Sequence, residues 1–188
     1  MNIVLLSGSV VGSKTRTAME YVKNAFNKNH PDHNVELIDL ADYDIQFSDG
    51  RNFLDYDGDT GYVTKTIMDA DAIVIGTPIF QASIPGTLKN VLDLLPQDGF
   101  RDKTVSMLAT AGSSKHFLIP ETQLKPVLGY MKAQILQSYV FIEERHFAKK
   151  EIIDDDVIFR IDRLAEDTLV LSETYRKIRE EKEASYGF

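Results

Sequence analysis

Short apolar runs alternate with amphipathic segments along most of the chain, and this alternation predicts β-strands separated by α-helices. Runs without a polar interruption are typical of strands that are buried on both faces of a parallel sheet. Five strands are predicted, at residues 2–6, 35–40, 72–75, 104–109 and within 134–142.

Apolar residues at helical spacing fill the intervals between these strands. Ala18, Met19 and Val22 fall on one face of a first helix, which the sequence Asn-His-Pro-Asp at residues 29–32 ends. Strands that alternate with helices predict an α/β three-layer sandwich, in which a parallel sheet carries helices on both faces. Further helices are predicted through residues 63–68, 85–95 and 121–132, with a long one over about 154–184.

Length and composition limit the number of domains and the classes of partner that we expect. A chain of 188 residues predicts one domain over residues 1–188. The formal net charge of −8 argues against a nucleic-acid or anionic-membrane partner. No run approaches the ~20 apolar residues that span a bilayer, and the first residues read as a strand and not as a signal peptide. Cysteine is absent, which excludes thiolate sites and is compatible with the cytoplasmic location that we expect.

The most informative stretch, residues 76–93, reads GTPIFQASIPGTLKNVLD. The third strand ends there at Gly76-Thr77-Pro78, and ligands of open α/β sheets bind at that end of the strands. The loop that follows offers a rigid proline, the apolar side chains of Ile79 and Phe80, and free backbone amides, but no charged residue. Such a loop suits a flat, apolar, hydrogen-bonding ring and does not suit a phosphate or a metal.

Residues 7–15, SGSVVGSKT, form a polar loop before the first helix. The amino end of a helix presents unpaired amides and partial positive charge, so it holds phosphates well. The hydroxyls of Ser9, Ser13 and Thr15, with Lys14 beside them, add donors. The spacing matches neither a Walker motif nor GxGxxG, and the alternative is that Ser13 only caps the helix.

A third loop, residues 109–114, lies at the end of the fourth strand and contains Thr110, Ala111, Gly112 and Ser113. When strands one, three and four are neighbours, the three loops meet in one crevice. They then combine a phosphate seat, an apolar wall and a rim of small residues, which is the outline of a mononucleotide site.

Residues 76–93 closely resemble the flavin-contacting loop of the NAD(P)H-dependent FMN reductase family, whose pattern is GTPxY…S.PG.LKN.LD, although Phe80 stands where the family usually has Tyr. Residues 7–15 look like its GS…S.T phosphate loop. The resemblance implies a flavodoxin-like fold with strand order 2-1-3-4-5. It also implies FMN contacts from Ser9, Ser13, Lys14, Thr15, Thr77, Pro78, Ile79, Phe80, Gln81, Ser83, Thr110, Ala111, Gly112, Ser113 and His116.

Residues 112–116 and 124–128, GSSKH and LKPVL, resemble the subgroup that feeds alkanesulfonate monooxygenases and its azoreductase-like relatives. Two departures matter. Val10 and Val11 stand where many members carry an Arg credited with binding the pyridine nucleotide, so the choice between NADPH and NADH stays open. Thr122 and Gln123 occupy a region where the subgroup often has an aromatic residue in a helix interruption at the subunit interface. This departure predicts that FMN is kept as a prosthetic group.

No catalytic acid or base is predicted, because hydride transfer from NADH or NADPH to flavin needs none and the cofactor carries the chemistry. His116 is a candidate donor to the flavin edge, or else a capping or solvated histidine. Lys89 and Asp93 are interpreted as a structural i,i+4 pair. The other histidines are scattered without metal-ligand spacing, and residues 154–156 are interpreted as an acidic helix start.

The sequence therefore predicts a flavoprotein oxidoreductase that passes hydride from NAD(P)H to FMN and electrons on to a free flavin, a quinone, an azo compound or a monooxygenase partner. The resemblance implies a homodimer or homotetramer, for which Phe47, Phe53, Tyr56 and the aromatic residues of strand five are interface candidates. The alternatives are a flavodoxin-like electron carrier without enzymatic activity, which the acidic charge would suit, and a regulatory flavin-binding module.

Overall fold

Six parallel strands build the central sheet of the computed structural model, which describes residues 1–186. The strands are β1 (Asn2–Ser7), β2 (Asn34–Asp39), β3 (Ala72–Pro78), β4 (Thr104–Ala111), β5 (Gln134–Ile135) and β6 (Val140–Glu143). They lie in the order β2-β1-β3-β4-β5, and β6 also pairs with β4, so the predicted order 2-1-3-4-5 is confirmed. The predicted fifth strand is present as two short pieces, β5 and β6, separated by four residues.

Helices occupy the predicted intervals. They are α1 (Lys14–Asn29), α2 (Gly58–Met68), α3 (Gly86–Leu94), α4 (Lys125–Tyr130) and α5 (Asp155–Ser185). The helix predicted over residues 121–132 differs from expectation, because a π-helical turn at Pro120–Leu124 precedes the short α4. Asp154 caps α5 by accepting the Val157 N–H at 3.1 Å, as expected of an acidic helix start. A small antiparallel ladder, β7 (Phe147–Ala148) with β8 (Glu151–Ile152), precedes α5.

Both faces of the sheet are buried, because successive side chains of a strand point to opposite sides. Val4 and Leu6 of β1 pack on the side of α2, α3 and α4. Ile3 and Leu5 pack on the other side, against α1 and α5. The two apolar layers produce the three-layer sandwich that the alternating sequence pattern predicts.

The long loop between β2 and α2 contains one clear departure from expectation. Tyr56, expected at an interface, is fully buried, and its hydroxyl donates to Asp49 Oδ1 at 2.7 Å. Phe141 of β6 is buried as well, so neither residue is available to a partner. Phe47 is 85% exposed, whereas Phe53 and Tyr139 are half-buried.

The strand register places the three predicted loops at one edge of the sheet. Ser7 is opposite Gly76, and Pro78 is opposite Thr110, so β1, β3 and β4 end side by side. Of the helices within residues 1–186, none combines the length and the apolarity that a membrane crossing requires. In the same range, no three acidic, histidine or cysteine side chains are grouped to hold a metal ion.

Candidate functional site

A cleft of about 380 Å³ lies at the carboxyl edge of the sheet, where the loops after β1, β3 and β4 meet. This volume falls in the range that small-molecule sites occupy. The lining residues are Val11, Gly12, Ser13, Lys14, Thr15, Pro78, Ile79, Phe80, Thr110, Ala111, Gly112 and Glu144.

One end of the cleft is the amino end of α1. Because the first turn of a helix has no intrahelical acceptors for its N–H groups, these donors are available to an anion. Ser13 occupies the N-cap position, but its side chain makes no capping bond, so the interpretation of Ser13 as a simple cap is wrong. Gly12, with φ of +80°, supplies the left-handed turn that directs the chain into the helix.

Thr15 lies deeper in the same wall. Its hydroxyl shares a hydrogen bond of 2.8 Å with the hydroxyl of Thr110, and both side chains are buried. This bond joins the first turn of α1 to the end of β4, across the end of β3. The two predicted loops are therefore tied together at the floor of the cleft.

Lys14 lies at the mouth of this end and forms an ion pair with Glu144. Glu144 follows β6 in the 3₁₀ turn Glu144–His146. The ammonium group of Lys14 holds the pKa of Glu144 below its ordinary value, so the carboxylate is ionised at neutral pH. Sequence analysis missed Glu144, although its place directly after the fifth strand put it at the edge where ligands bind.

A second part of the lining is apolar. Pro78, Ile79 and Phe80 form it, and the Ile79 N–H donates to the Thr110 carbonyl at 3.1 Å, which anchors the loop to β4. Phe80 and Ser83 exchange two backbone hydrogen bonds of 3.0 Å and close a tight turn. The two central residues of that turn, Gln81 and Ala82, have φ of +49° and +57°.

The structure brings nine of the fifteen predicted residues into the lining of the cleft, along with Val11, Gly12 and Glu144, which were not predicted. Ser9 is buried and bonds to the backbone of Val11, and the Thr77 hydroxyl donates to the Pro78 carbonyl. His116 lies half-buried in a 3₁₀ turn. The predicted residues outside the lining are Ser9, Thr77, Gln81, Ser83, Ser113 and His116.

Ser83 links the apolar loop to the π-helical turn. Its hydroxyl donates to the side-chain oxygen of Gln123 at 3.2 Å. Gln123 belongs to Pro120–Leu124, so the helix interruption that the resemblance described is present in this chain, and a glutamine side chain from it contacts the loop. The Lys89–Asp93 pair, at 2.6 Å, is a surface i,i+4 contact on α3, as interpreted from the sequence.

Comparison with known proteins decides the family. The sequence pattern described as NADPH-dependent FMN reductase matches residues 1–147, which is most of the chain. The chain belongs to this family. An NAD(P)H-dependent FAD/FMN reductase of Geobacillus thermodenitrificans (strain NG80-2) is 38% identical over 166 residues, covering 88% of this chain and 90% of that protein. An FMN reductase (NADPH) of Escherichia coli (strain K12) is 40% identical over 81 residues, or 43% of this chain and 42% of that protein.

Solved structures agree with this assignment. The apo form of the NADH:FMN oxidoreductase EMOB superposes with a TM-score of 0.76 and 28% identity, over 90% of this chain and 89% of that one. Oxidised flavodoxin 2 of Bacillus cereus superposes with a TM-score of 0.65 and 16% identity, over 90% and 98%, which shows the shared fold. Family membership makes this protein an FMN-using, NAD(P)H-dependent oxidoreductase, as the sequence predicted.

The donor set of the cleft fits FMN. Helix amides, hydroxyls and an ammonium group in one part of the lining match a phosphate, and the uncharged apolar part matches a flat ring. The two parts share one continuous cavity, as the two ends of a single mononucleotide require.

Proposed function

We propose that this cleft binds FMN with its phosphate at the amino end of α1 and its ring system beside Pro78, Ile79 and Phe80. The observation that carries the proposal is the continuity of the cleft from a helix amino end to an uncharged apolar loop, in a chain of this family. FMN, when bound, supplies the redox chemistry by accepting hydride from NAD(P)H and giving up electrons afterwards.

The residues of this chain bind FMN and orient it. Ser13 and the first-turn amides of α1 hold the phosphate, with Lys14 at the mouth. The buried Thr15–Thr110 bond keeps the phosphate end and the β4 end at a constant spacing. The apolar wall keeps water away from one side of the ring, and His116 is a candidate donor to the ring edge from the turn beside the third loop.

The experiment is a visible spectrum of the purified protein with FMN, repeated after NADPH or NADH is added without air. Bound-flavin bands that bleach rapidly with one of the nucleotides support the reductase. Bound flavin that no nucleotide reduces would favour the electron carrier. Failure to bind FMN, together with no NAD(P)H oxidation, would contradict the proposed function.

A variant pair separates the two ends of the cleft. Ser13→Ala should weaken binding of FMN and leave riboflavin unchanged, because riboflavin has no phosphate. Phe80→Ala should weaken both, because it shortens the wall that faces the ring. Phe159→Ala, at an exposed phenylalanine on α5, is the matched aromatic control and should weaken neither.

The electron acceptor is proposed as a class: a free flavin, a quinone, an azo compound or a monooxygenase partner. One representative of each class is tested with the reduced protein. The turnover rates then rank the four classes of acceptor. Retention of FMN through gel filtration tests its status as a prosthetic group, which the absence of an aromatic residue at Thr122 and Gln123 predicts.

We also propose that the protein is a homodimer or homotetramer with a single domain over residues 1–188. The exposed Phe47 and the half-buried Phe53 and Tyr139 remain interface candidates. A monomeric mass by light scattering across working concentrations would contradict the oligomer. Release of a stable fragment by limited proteolysis would contradict the single domain. The cytoplasmic location stays a prediction from the sequence.

A further inference from the structure

Lys14 and Glu144 are the only ionisable side chains among the described residues that line the cleft. They are 130 positions apart in the sequence and form an ion pair at its mouth. Their side chains are 40% and 65% exposed, so both are reachable from the cleft and from solvent.

The fold determines where Glu144 lies. β6 runs parallel to β4 with Glu143 opposite Ala111, which puts Glu144 just beyond the third loop. The turn that carries it is closed by a capping box, in which the Glu143 N–H donates to Nδ1 of His146 at 3.2 Å. Arg145 is bonded to Glu143 at 2.8 Å, and this bond leaves the Glu144 carboxylate to Lys14.

Both positive and negative charges lie at the end of the cleft where we place the phosphate. A phosphate monoester carries close to two negative charges at neutral pH. The amino end of α1 contributes about half a positive charge and Lys14 contributes one. The Glu144 carboxylate adds one negative charge at the same end of the cleft. It also pairs with the Lys14 ammonium group, which would otherwise be available to a phosphate.

We propose that Glu144 sets the affinity of this cleft for phosphorylated flavin: its carboxylate competes with the FMN phosphate for Lys14 and repels it, so FMN binds less tightly than the seat would otherwise allow. The proposal rests on the proposed function, because it requires the phosphate at the amino end of α1. The Glu144 carboxylate would then favour the release of FMN over its retention.

The test is a titration of FMN and of riboflavin, followed by flavin fluorescence, into wild-type protein and Glu144→Gln. Because the pair is exposed and the phosphate nearly doubly charged, Glu144→Gln should tighten FMN binding by about 3- to 10-fold. Riboflavin affinity should stay the same. The gain for FMN should shrink as salt is raised, since exposed charges are screened.

Two further variants sharpen the experiment. Glu144→Lys should tighten FMN beyond Glu144→Gln, again without an effect on riboflavin. Glu181→Gln makes the same charge change at an exposed position in the last turns of α5. Arg179 of the same turns pairs with Asp102, which precedes the amino end of β4, whereas the cleft lies at the carboxyl ends of the strands. This control should leave FMN affinity unchanged, which excludes an effect of net charge alone.

Failure of the inference can be separated from failure of the proposed function. If wild-type protein binds FMN no better than riboflavin, the proposed phosphate site at the amino end of α1 is wrong. The inference about Glu144 is then wrong as well, because it depends on that site. If wild-type protein prefers FMN and both Glu144 variants keep the same preference, only the inference is wrong. Equal tightening of FMN and riboflavin would also overturn it, because the effect would not involve the phosphate.

Discussion

The hydroxyls of Thr15 and Thr110 share a buried hydrogen bond of 2.8 Å between residues 95 positions apart. Thr15 is in the first turn of α1, and Thr110 is near the end of β4. The bond therefore connects the first turn of α1, at the proposed phosphate end of the cleft, to the end of β4.

Removal of one partner of this bond should be costly. Thr15→Val leaves the Thr110 hydroxyl buried without a partner, which should lower the free energy of unfolding by about 1–3 kcal/mol. Thr15→Val/Thr110→Val should cost less than the sum of the single variants, because no orphaned hydroxyl remains. Urea denaturation measures both quantities.

The two threonines should also affect ligand binding. Ser106 shares a buried hydroxyl bond of 2.6 Å with Thr168, in the amino-terminal half of β4 and away from the cleft. Ser106→Ala should lower stability without changing the Kd for FMN, whereas Thr15→Val should change both. Equal effects of the two variants on the Kd for FMN would argue against a role for the Thr15–Thr110 bond in the site.

Gly76 should not accept a side chain. A Cβ atom there would lie 2.7 Å from Met19 Cγ and 3.3 Å from Thr15 Cγ2. Met19 is fully buried, so Gly76→Ala should overpack the contact between β3 and α1 and destabilise the protein by about 1–3 kcal/mol. Gly112→Ala, where no atom lies within 4 Å of the added carbon, is the control for thermal denaturation and should leave the Tm nearly unchanged.

The turn at Gln81 and Ala82 stores backbone strain, since left-handed φ values are unfavourable for residues with a side chain. Ala82→Gly should raise the free energy of unfolding by roughly 1 kcal/mol. Ala148→Gly is the control, because Ala148 is exposed, lies in a strand and is outside the left-handed region. This variant should not raise the free energy of unfolding. If Ala82→Gly also weakens FMN binding, the strained turn orients the apolar wall.

Asp49 should make stability depend on pH. Hydrogen bonds from Arg51, and then from Tyr56, hold the pKa of Asp49 well below its ordinary value of 3.8. Because the folded-state pKa is lowered, the contribution of Asp49 to stability is complete well above the unfolded value of 3.8. It is lost progressively as the pH falls from that value through the lowered folded-state pKa. Asp49→Asn should therefore be less stable than wild type at pH 7.

Urea denaturation between about pH 7 and about pH 2 measures the difference in stability between Asp49→Asn and wild type, which should narrow toward the acid end because the loss begins near the unfolded pKa. Asp44→Asn, at an exposed aspartate of the same loop with no side-chain pair among the described contacts, is the control and should show no such trend. A constant difference across the pH range would mean that the Asp49 variant acts through packing and not through charge.

Local sequence patterns predicted most of the fold and nine of the twelve residues that line the cleft. Apolar runs and helical spacing act over a few residues, so the strand and helix positions, as well as the loop at residues 76–86, were readable from the chain. The same reasoning misjudged Tyr56, because an aromatic residue in an acidic loop looks exposed until its hydroxyl is seen to bond with Asp49. The break between β5 and β6 was not predicted either, although Gln137 and Ser138 interrupt the apolar run there.

By itself, the sequence determined the alternation of strands and helices, the motif at residues 76–93 and the helix amino end at Ser13. Each of these depends on neighbours in the chain. Only the tertiary structure decided that Glu144 reaches Lys14, that Thr15 bonds to Thr110 and that Ser83 contacts Gln123. Those contacts join positions 40 to 130 residues apart, and strand register and helix packing, which no short window of sequence contains, determine them.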